Sequence, residues 1–273
     1  MALRQSDFDY IRNLIQKRAA IVLDDNKHYF VESRLGPLAD ELGLKSVEEI
    51  VTQLQRQPTG PLHQRVTEAI TIHETSFFRD VHPFKALRDL VIPDLLEKRQ
   101  QERSLSMWCG ACSSGQEPYT ITMILNNHFP QLATWRTQFI ATDISNKILD
   151  KARNGKYSQL EINRGLPAPM LLKFFQKQGL EWQIKPEFRS SITFKQLNLI
   201  ERWPPMPKLD IIFLRNVLIY FDVPTKRTIL GQIKEILKPD GFLFLGAAEM
   251  PMSVDKAFER VNAARAGCYK IKD

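Results

Sequence analysis

The 273-residue chain reads as an α/β protein whose N-terminal region is all helical. Three observations carry this. Up to about residue 72, apolar residues recur only at helical spacing. After about residue 80, short apolar runs alternate with amphipathic segments, which argues for a mainly parallel sheet with both faces covered. A glycine-bearing loop, WCGACSSGQEP at 108–118, joins the first such run to the helix after it, where open α/β sheets bind ligands.

The elements follow in order. FDYIRNLIQKRAAIV sets Phe8, Ile11, Leu14 and Ile15 on one helical face, with Ser6 or Asp7 as cap. A second helix, Lys27 to Leu42, contains Gly36-Pro37, which should kink or restart it. Ser46 and Glu49 form a capping-box pattern before VEEIVTQLQ. QPTGP is a loop, and a further helix runs from Leu62 to about Ile72. HPFKALRDLVIPDLLEKR is helical, SLSMWC a strand, GQEPYTITMILNNHF a helix, TQFIATD a strand, and SNKILDKARNG a helix ending at Gly155. LDIIFLRN is a buried strand, PTKRTILGQIKEILKPDG a helix plus turn, and FLFLGAAE a strand. LEWQIKP and SSITFKQ interrupt the alternation and suggest a small hairpin inserted at one sheet edge.

Composition narrows the class. A chain 43% hydrophobic and 25% charged is an ordinary globular protein. No apolar run approaches the roughly 20 residues of a membrane span, and MALRQSDFDYIRNLIQ lacks the apolar stretch of a secretory signal, so a cytoplasmic protein without membrane insertion is expected. The net charge of +7 is unevenly placed: residues 1–70 carry nine Lys/Arg against ten Asp/Glu. The basic excess beyond them is dispersed, with no block of five, and favours acidic partners over a nucleic-acid groove.

The loop at 108–118 contains Cys109-x-x-Cys112, which reads as a redox pair or half a zinc site. The only other cysteine, Cys268, stands alone, so neither a disulfide framework nor a metal site is expected. Gly110 and Gly115 allow close backbone approach to a ligand. No Gly-Lys-Ser/Thr follows, so the loop is not a nucleotide phosphate loop. Glu117 at the helix start disfavours a phosphate and suits a cationic group. Asp143 ends the second strand, the position of the acidic partner of ribose hydroxyls, although it can also cap the helix that starts near Ser145. Adenosine with a cationic tail and no phosphate describes S-adenosyl-L-methionine.

ETSFFRD, SSGQEPYT, ATDIS, QLNL, FLRNVLIYFD and LKPDGFLFLGAAE occur in that order. Together they resemble the chemotaxis receptor methyltransferases, the CheR family, over nearly the whole chain. The resemblance implies an N-terminal all-helical domain at 1–72 and a linker at 73–83 that contributes to the cofactor site. A class I, Rossmann-like methyltransferase domain then spans 84–273, with a small β-subdomain inserted at about 178–195. It also implies methyl transfer from S-adenosyl-L-methionine to glutamate side chains of chemoreceptor cytoplasmic helices, giving glutamate methyl esters and S-adenosyl-L-homocysteine. By the family pattern, His73, Thr75, Arg79, Glu117, Asp143, Asn198, Leu199, Arg215 and Asn216 hold the cofactor. Arg79, Arg215 and Tyr220 position the reacting groups. Phe77 and Phe78 are expected to pack.

The chain departs from the family in three places. His73 stands where Asn is common, and imidazole cannot reproduce both halves of an amide. SRLGPLADELG lacks the arginine run of the second helix, keeping Arg34. The hairpin in KQGLEWQIKP is shorter than in members that dock a receptor's C-terminal pentapeptide, so independence from that tether is expected. Two other readings compete: a catalytically weak S-adenosylmethionine-binding or receptor-docking module, and a nucleic-acid methyltransferase, for which an Asp/Asn-Pro-Pro-Tyr-like motif is missing.

Overall fold

The computed structural model describes residues 3–263 and 265–272. They divide into two compact units, Met1–Ile72 with Tyr220–Thr225, and His73–Ile219 with Lys226–Asp273.

The first unit contains helices α1 (Gln5–Ala19), α2 (His28–Glu41), α3 (Val47–Arg56) and α4 (Pro61–Ile70). Their apolar stripes meet in a core that includes Phe8, Ile15, Val31, Leu35, Ile50 and Leu54. Three sequence expectations change here. Arg4, not Ser6 or Asp7, precedes α1, and Asp7 accepts a hydrogen bond from Arg4 Nε at 2.7 Å. Helix α2 runs unbroken through Pro37. The preceding Gly36 has no Cβ to clash with the proline ring, and buried Leu35 and Leu38 hold the helix on either side. The capping box at Ser46 does not form: Glu49 reaches back to the Lys45 N–H at 3.0 Å, and the Ser46 hydroxyl bonds Glu48 and lowers that carboxyl's pKa.

The second unit opens with α5 (His82–Ala86), which passes through a π turn at Leu87–Val91 into α6 (Ile92–Lys98). Pro93 cannot donate to the carbonyl four residues earlier, which disrupts the regular ladder there. Strand β1 (Ser104–Gly110), α7 (Gln116–His128), β2 (Arg136–Asp143) and α8 (Asn146–Asn154) follow. Next come β3 (Lys156–Ser158), α9 (Gln159–Asn163), α10 (Ala168–Phe174), β4 (Phe175–Gln178), β5 (Glu181–Ile184), α11 (Pro186–Arg189) and β6 (Thr193–Gln196). The chain then forms β7 (Leu209–Leu214), α12 (Val223–Ile236), β8 (Leu237–Leu245), β9 (Phe258–Arg260) and β10 (Gly267–Ile271).

Seven strands form the main sheet in the order β6-β2-β1-β7-β8-β10-β9. Pairings from β6 to β8 are parallel, and β10 pairs antiparallel with β8 and β9. All six residues of β7 are buried, as a strand covered on both faces requires. The expected turn at Lys238-Pro-Asp-Gly241 lies inside β8. Leu237 pairs with Leu209, and pairing resumes at Phe242 with Ile211 after an irregularity. Pro239 lacks the N–H the ladder needs, so the strand bulges rather than ends.

The small β-insertion is also placed differently from the expected 178–195. It is a separate sheet in the order β3-β5-β4 that begins at Lys156. Thr193–Gln196 instead forms the edge of the main sheet, parallel to β2. A three-residue strand such as β3 is too short to show alternation, so its pairing with β5 carries no sequence signal.

At the amino end of the sheet, Asp210 is fully buried. Its carboxylate accepts from Arg99 Nε (2.8 Å), Lys238 Nζ (2.9 Å) and the Ser106 N–H (2.8 Å). Arg99 also grips Asp240 through both terminal nitrogens, which holds the Asp240 carboxyl below its usual range. This cluster joins α6, β1, β7 and β8. Asp210→Ala leaves two cations facing a buried gap and is expected to cost roughly 3–5 kcal/mol, read as a lower midpoint in chemical denaturation.

Candidate active site at the carboxyl ends of β1, β2 and β7

From β1 the sheet grows outward to β2 and β6, then the chain returns to place β7 on the other side of β1. The loops after β1 and β7 therefore diverge, and the crevice between them is where an open α/β sheet holds its ligand.

The loop after β1 is shaped by left-handed residues: Ala111 and Ser113 both have φ 51, and Gly115 has φ 94. A Cβ on Gly115 would lie 3.1 Å from the Ala152 Cβ and 3.2 Å from the Tyr157 hydroxyl, so only glycine meets both demands there. Tyr157 donates to the Ser114 carbonyl (2.7 Å) and Tyr119 to the Ala152 carbonyl (2.7 Å), fixing the loop from beneath. The Ser113 hydroxyl donates to the His73 carbonyl at 2.8 Å and ties the linker segment to the loop. Phe77 of that segment is buried edge-on against Tyr157 and Phe175, a packing role as expected.

Asp143 ends β2 and is 5% exposed. One carboxylate oxygen accepts the Ser113 N–H at 2.9 Å, the other the Ser145 N–H at 3.1 Å. Helix α8 is capped by the Ser145 hydroxyl, which accepts from the Ile148 N–H, so Asp143 is not its cap. Burial raises the Asp143 carboxyl pKa; His73 Nδ1 at 3.8 Å and the N–H bonds oppose that. With the Ile144 N–H, three backbone donors occupy about three of a carboxylate's four acceptor sites, which leaves capacity for one ribose hydroxyl.

Glu117, in the first turn of α7, and Arg215, just after β7, are brought together. The Arg215 side chain is 1% exposed. Its Nη1 donates to Glu117 Oε2, and its Nη2 donates to Asp80 (2.9 Å) and to the Arg79 carbonyl (3.1 Å). Its Nε, also buried, has no partner among the described residues. The guanidinium lies 5.5 Å from the centre of the Phe84 ring. Glu117 Oε1 accepts from the Cys109 thiol at 3.4 Å.

The other expected residues are distributed as follows. Arg79 is half-buried and donates through Nη1 to the Glu74 carbonyl at 2.9 Å, while Asp80 pairs with Arg215. Thr75 lies in the half-buried linker. Asn198 bonds Glu201 at 2.9 Å, and Leu199 beside it is buried. Asn216 adopts a left-handed φ of 59. Tyr220 groups with the helical unit, where its carbonyl accepts from the Val22 N–H at 3.2 Å. Sequence reasoning assigned no role at the site to Asp80, Ser113 or Glu249. Asp80 and Glu249 end the motifs ETSFFRD and LKPDGFLFLGAAE, and that placement was their only signal.

An acidic residue after β2, a glycine-bearing loop after β1 and an open sheet of this order define a nucleoside-cofactor protein of the class I methyltransferase type. Residues 73–266 match the model of "CheR methyltransferase, SAM binding domain", and residues 6–71 that of "CheR methyltransferase, all-alpha domain". The chain is 39% identical over 277 residues to chemotaxis protein methyltransferase Cher2 of Pseudomonas putida, covering 100% of both chains. Chemotaxis protein methyltransferase 1 of Pseudomonas aeruginosa gives the same identity and coverage, and the chemotaxis protein methyltransferase of Vibrio parahaemolyticus is 34% identical over 99% of both. The chain belongs to the CheR methyltransferase family. It is an S-adenosylmethionine-dependent methyltransferase of chemotaxis, so the expected family, fold class and cofactor hold. No helix among the described residues is long and apolar enough to cross a membrane.

All three cysteines are free and buried, and burial raises the thiol pKa of Cys109 and Cys112 well above the ordinary value. Thiolate chemistry at neutral pH is thereby suppressed. Alkylation of Cys109 and Cys112 at about pH 8 is expected to proceed only as fast as the protein opens, and rapid labelling of the folded protein would contradict it.

Proposed function

We propose that this protein transfers a methyl group from S-adenosylmethionine to glutamate carboxylates on the cytoplasmic helices of chemoreceptors, forming methyl esters. The observation that carries this reading is the polar arrangement at the switch point: Asp143 beside the Gly110–Gly115 loop, and Arg215 between Glu117 and Asp80. The residues fit the cofactor. Asp143 retains acceptor capacity for one ribose hydroxyl, and Asn198 with Leu199 offers a polar and an apolar edge for adenine. Glu117, Arg215 and Arg79, with His73, Thr75 and Asn216, supply both charges and polar groups for a zwitterionic amino-acid end. When bound, S-adenosylmethionine supplies a methyl group activated by a sulfonium.

The chain's own task is then positioning. A glutamate side chain has a reference pKa of about 4.3 and is ionised near neutral pH, so no general base is needed. Holding an ionised nucleophile in line, away from water, accounts for up to roughly 7–11 kcal/mol in well-aligned systems. Arg79 commits one donor to Glu74, leaving its fork for a carboxylate. Arg215 is locked by two carboxylates and a carbonyl, which limits it to fixing the site's geometry and charge.

The assay incubates the protein with methyl-labelled cofactor and receptor cytoplasmic fragments, followed by base. Volatile labelled methanol is expected, as carboxyl methyl esters release it and methylated bases do not. Asp143→Ala is expected to weaken cofactor binding roughly tenfold or more. Cofactor binding by the wild type without transfer to any receptor fragment of its own organism would favour the binding-module reading. We further infer that no receptor C-terminal pentapeptide is needed, because β4 and β5 are joined by only Gly179 and Leu180. Calorimetry with such a peptide is expected to give no saturable heat.

A further inference from the structure

The loop after β7 carries Arg215 and Asn216, and a residue outside the expected site holds it in place. Glu249 is 4% exposed, and no lysine or arginine pairs with it among the described residues. Its carboxylate instead accepts four backbone N–H groups. Oε1 takes those of Val217 (2.9 Å) and Ile219 (3.3 Å); Oε2 takes those of Asn216 (2.9 Å) and Gly246 (2.6 Å). A buried carboxylate without a cation is costly, and four converging donors are what compensates it.

Glu249 is itself fixed. Its N–H closes a turn onto the Gly246 carbonyl at 2.9 Å, and the Tyr269 hydroxyl of β10 donates to its carbonyl at 3.2 Å. The side chain thus transfers the rigidity of the loop after β8, buttressed by β10, to the loop after β7. The receiving end needs it. Asn216 sits at φ 59, a left-handed conformation that asparagine tolerates better than most side-chain-bearing residues, and the Glu249 bonds hold it there. Two of the four bonds hold the N–H of Asn216 and of the residue after it.

We infer that Glu249 is a positioning residue of the cofactor site: its carboxylate sets the backbone of Asn216 and so the point from which Arg215 reaches Glu117 and Asp80. The inference rests on the proposed roles of Arg215 and Asn216, but its main readout does not depend on which acceptor is methylated. Glu249→Gln keeps the volume and one acceptor oxygen, while its amide group opposes one pair of N–H donors. Glu249→Ala removes all four acceptors. Lys238→Met, which loosens the Asp210 cluster at the opposite end of the sheet, serves as a control for stability alone.

Titration calorimetry with S-adenosyl-L-homocysteine, at a temperature where all variants are folded by circular dichroism, is expected to give a graded Kd: wild type, then Glu249→Gln, then Glu249→Ala, weaker by roughly tenfold or more at the last step. Lys238→Met is expected to bind like wild type even where its Tm is lower. Unchanged Kd in a folded Glu249→Gln would overturn the inference, as would an equal loss in Lys238→Met. A wild type that binds cofactor but transfers no methyl refutes the proposed function and leaves this comparison of affinities intact.

Discussion

The buried Arg215 guanidinium is the interaction on which the site depends. It is reached from three segments distant in sequence: the linker through Asp80 and the Arg79 carbonyl, the first turn of α7 through Glu117, and the end of β7 from which it extends. A buried cation is tolerated only when paired and hydrogen-bonded. Its requirements therefore fix where the linker passes, how α7 starts and where the crevice has its charge. Phe84 completes the enclosure from α5.

The two ends of the sheet handle buried charge for different purposes. At the amino end, Asp210 is saturated by Arg99, Lys238 and a backbone N–H, and the cluster cross-links elements without leaving acceptor capacity of obvious use. At the carboxyl end, the backbone is irregular, with Ala111, Ser113, Gly115 and Asn216 all left-handed, and Asp143 is held by backbone N–H groups rather than by lysine or arginine side chains. The thiols of the Cys109-x-x-Cys112 pair lie at the binding end itself: they are buried, burial raises their pKa, and the Cys109 S–H donates to Glu117.

Several features were legible without coordinates because they depend on local periodicity or on strand-end position. The helical N-terminal stripe, the alternation after residue 80, and the placing of Asp143 and Glu117 at strand and helix ends are of this kind. Others depended on partners far along the chain. Ser46 and Glu49 satisfied the capping pattern, yet Glu49 found the Lys45 N–H instead. Gly36-Pro37 marked a break that packing of Leu35 and Leu38 overrode. SSITFKQ looked like half of an inserted hairpin, but its pairing with β2 makes it a sheet edge. Glu249 was quoted within a motif without a role, since no local rule predicts a carboxylate collecting N–H groups from residues some thirty positions earlier.

The sequence alone determined the class of the fold, the family it resembles, the cofactor, and which strand ends would carry polar residues, because period, turn chemistry and motif order are properties of neighbouring residues. Only the tertiary structure decided that Glu117 is paired with Arg215, that Asp143 accepts from Ser113 in the loop after β1 rather than serving as a cap, and that Glu249 anchors Asn216. Each of those is a contact whose formation depends on burial and on donors supplied by a loop distant in sequence, and neither can be read from a residue's own surroundings in the chain.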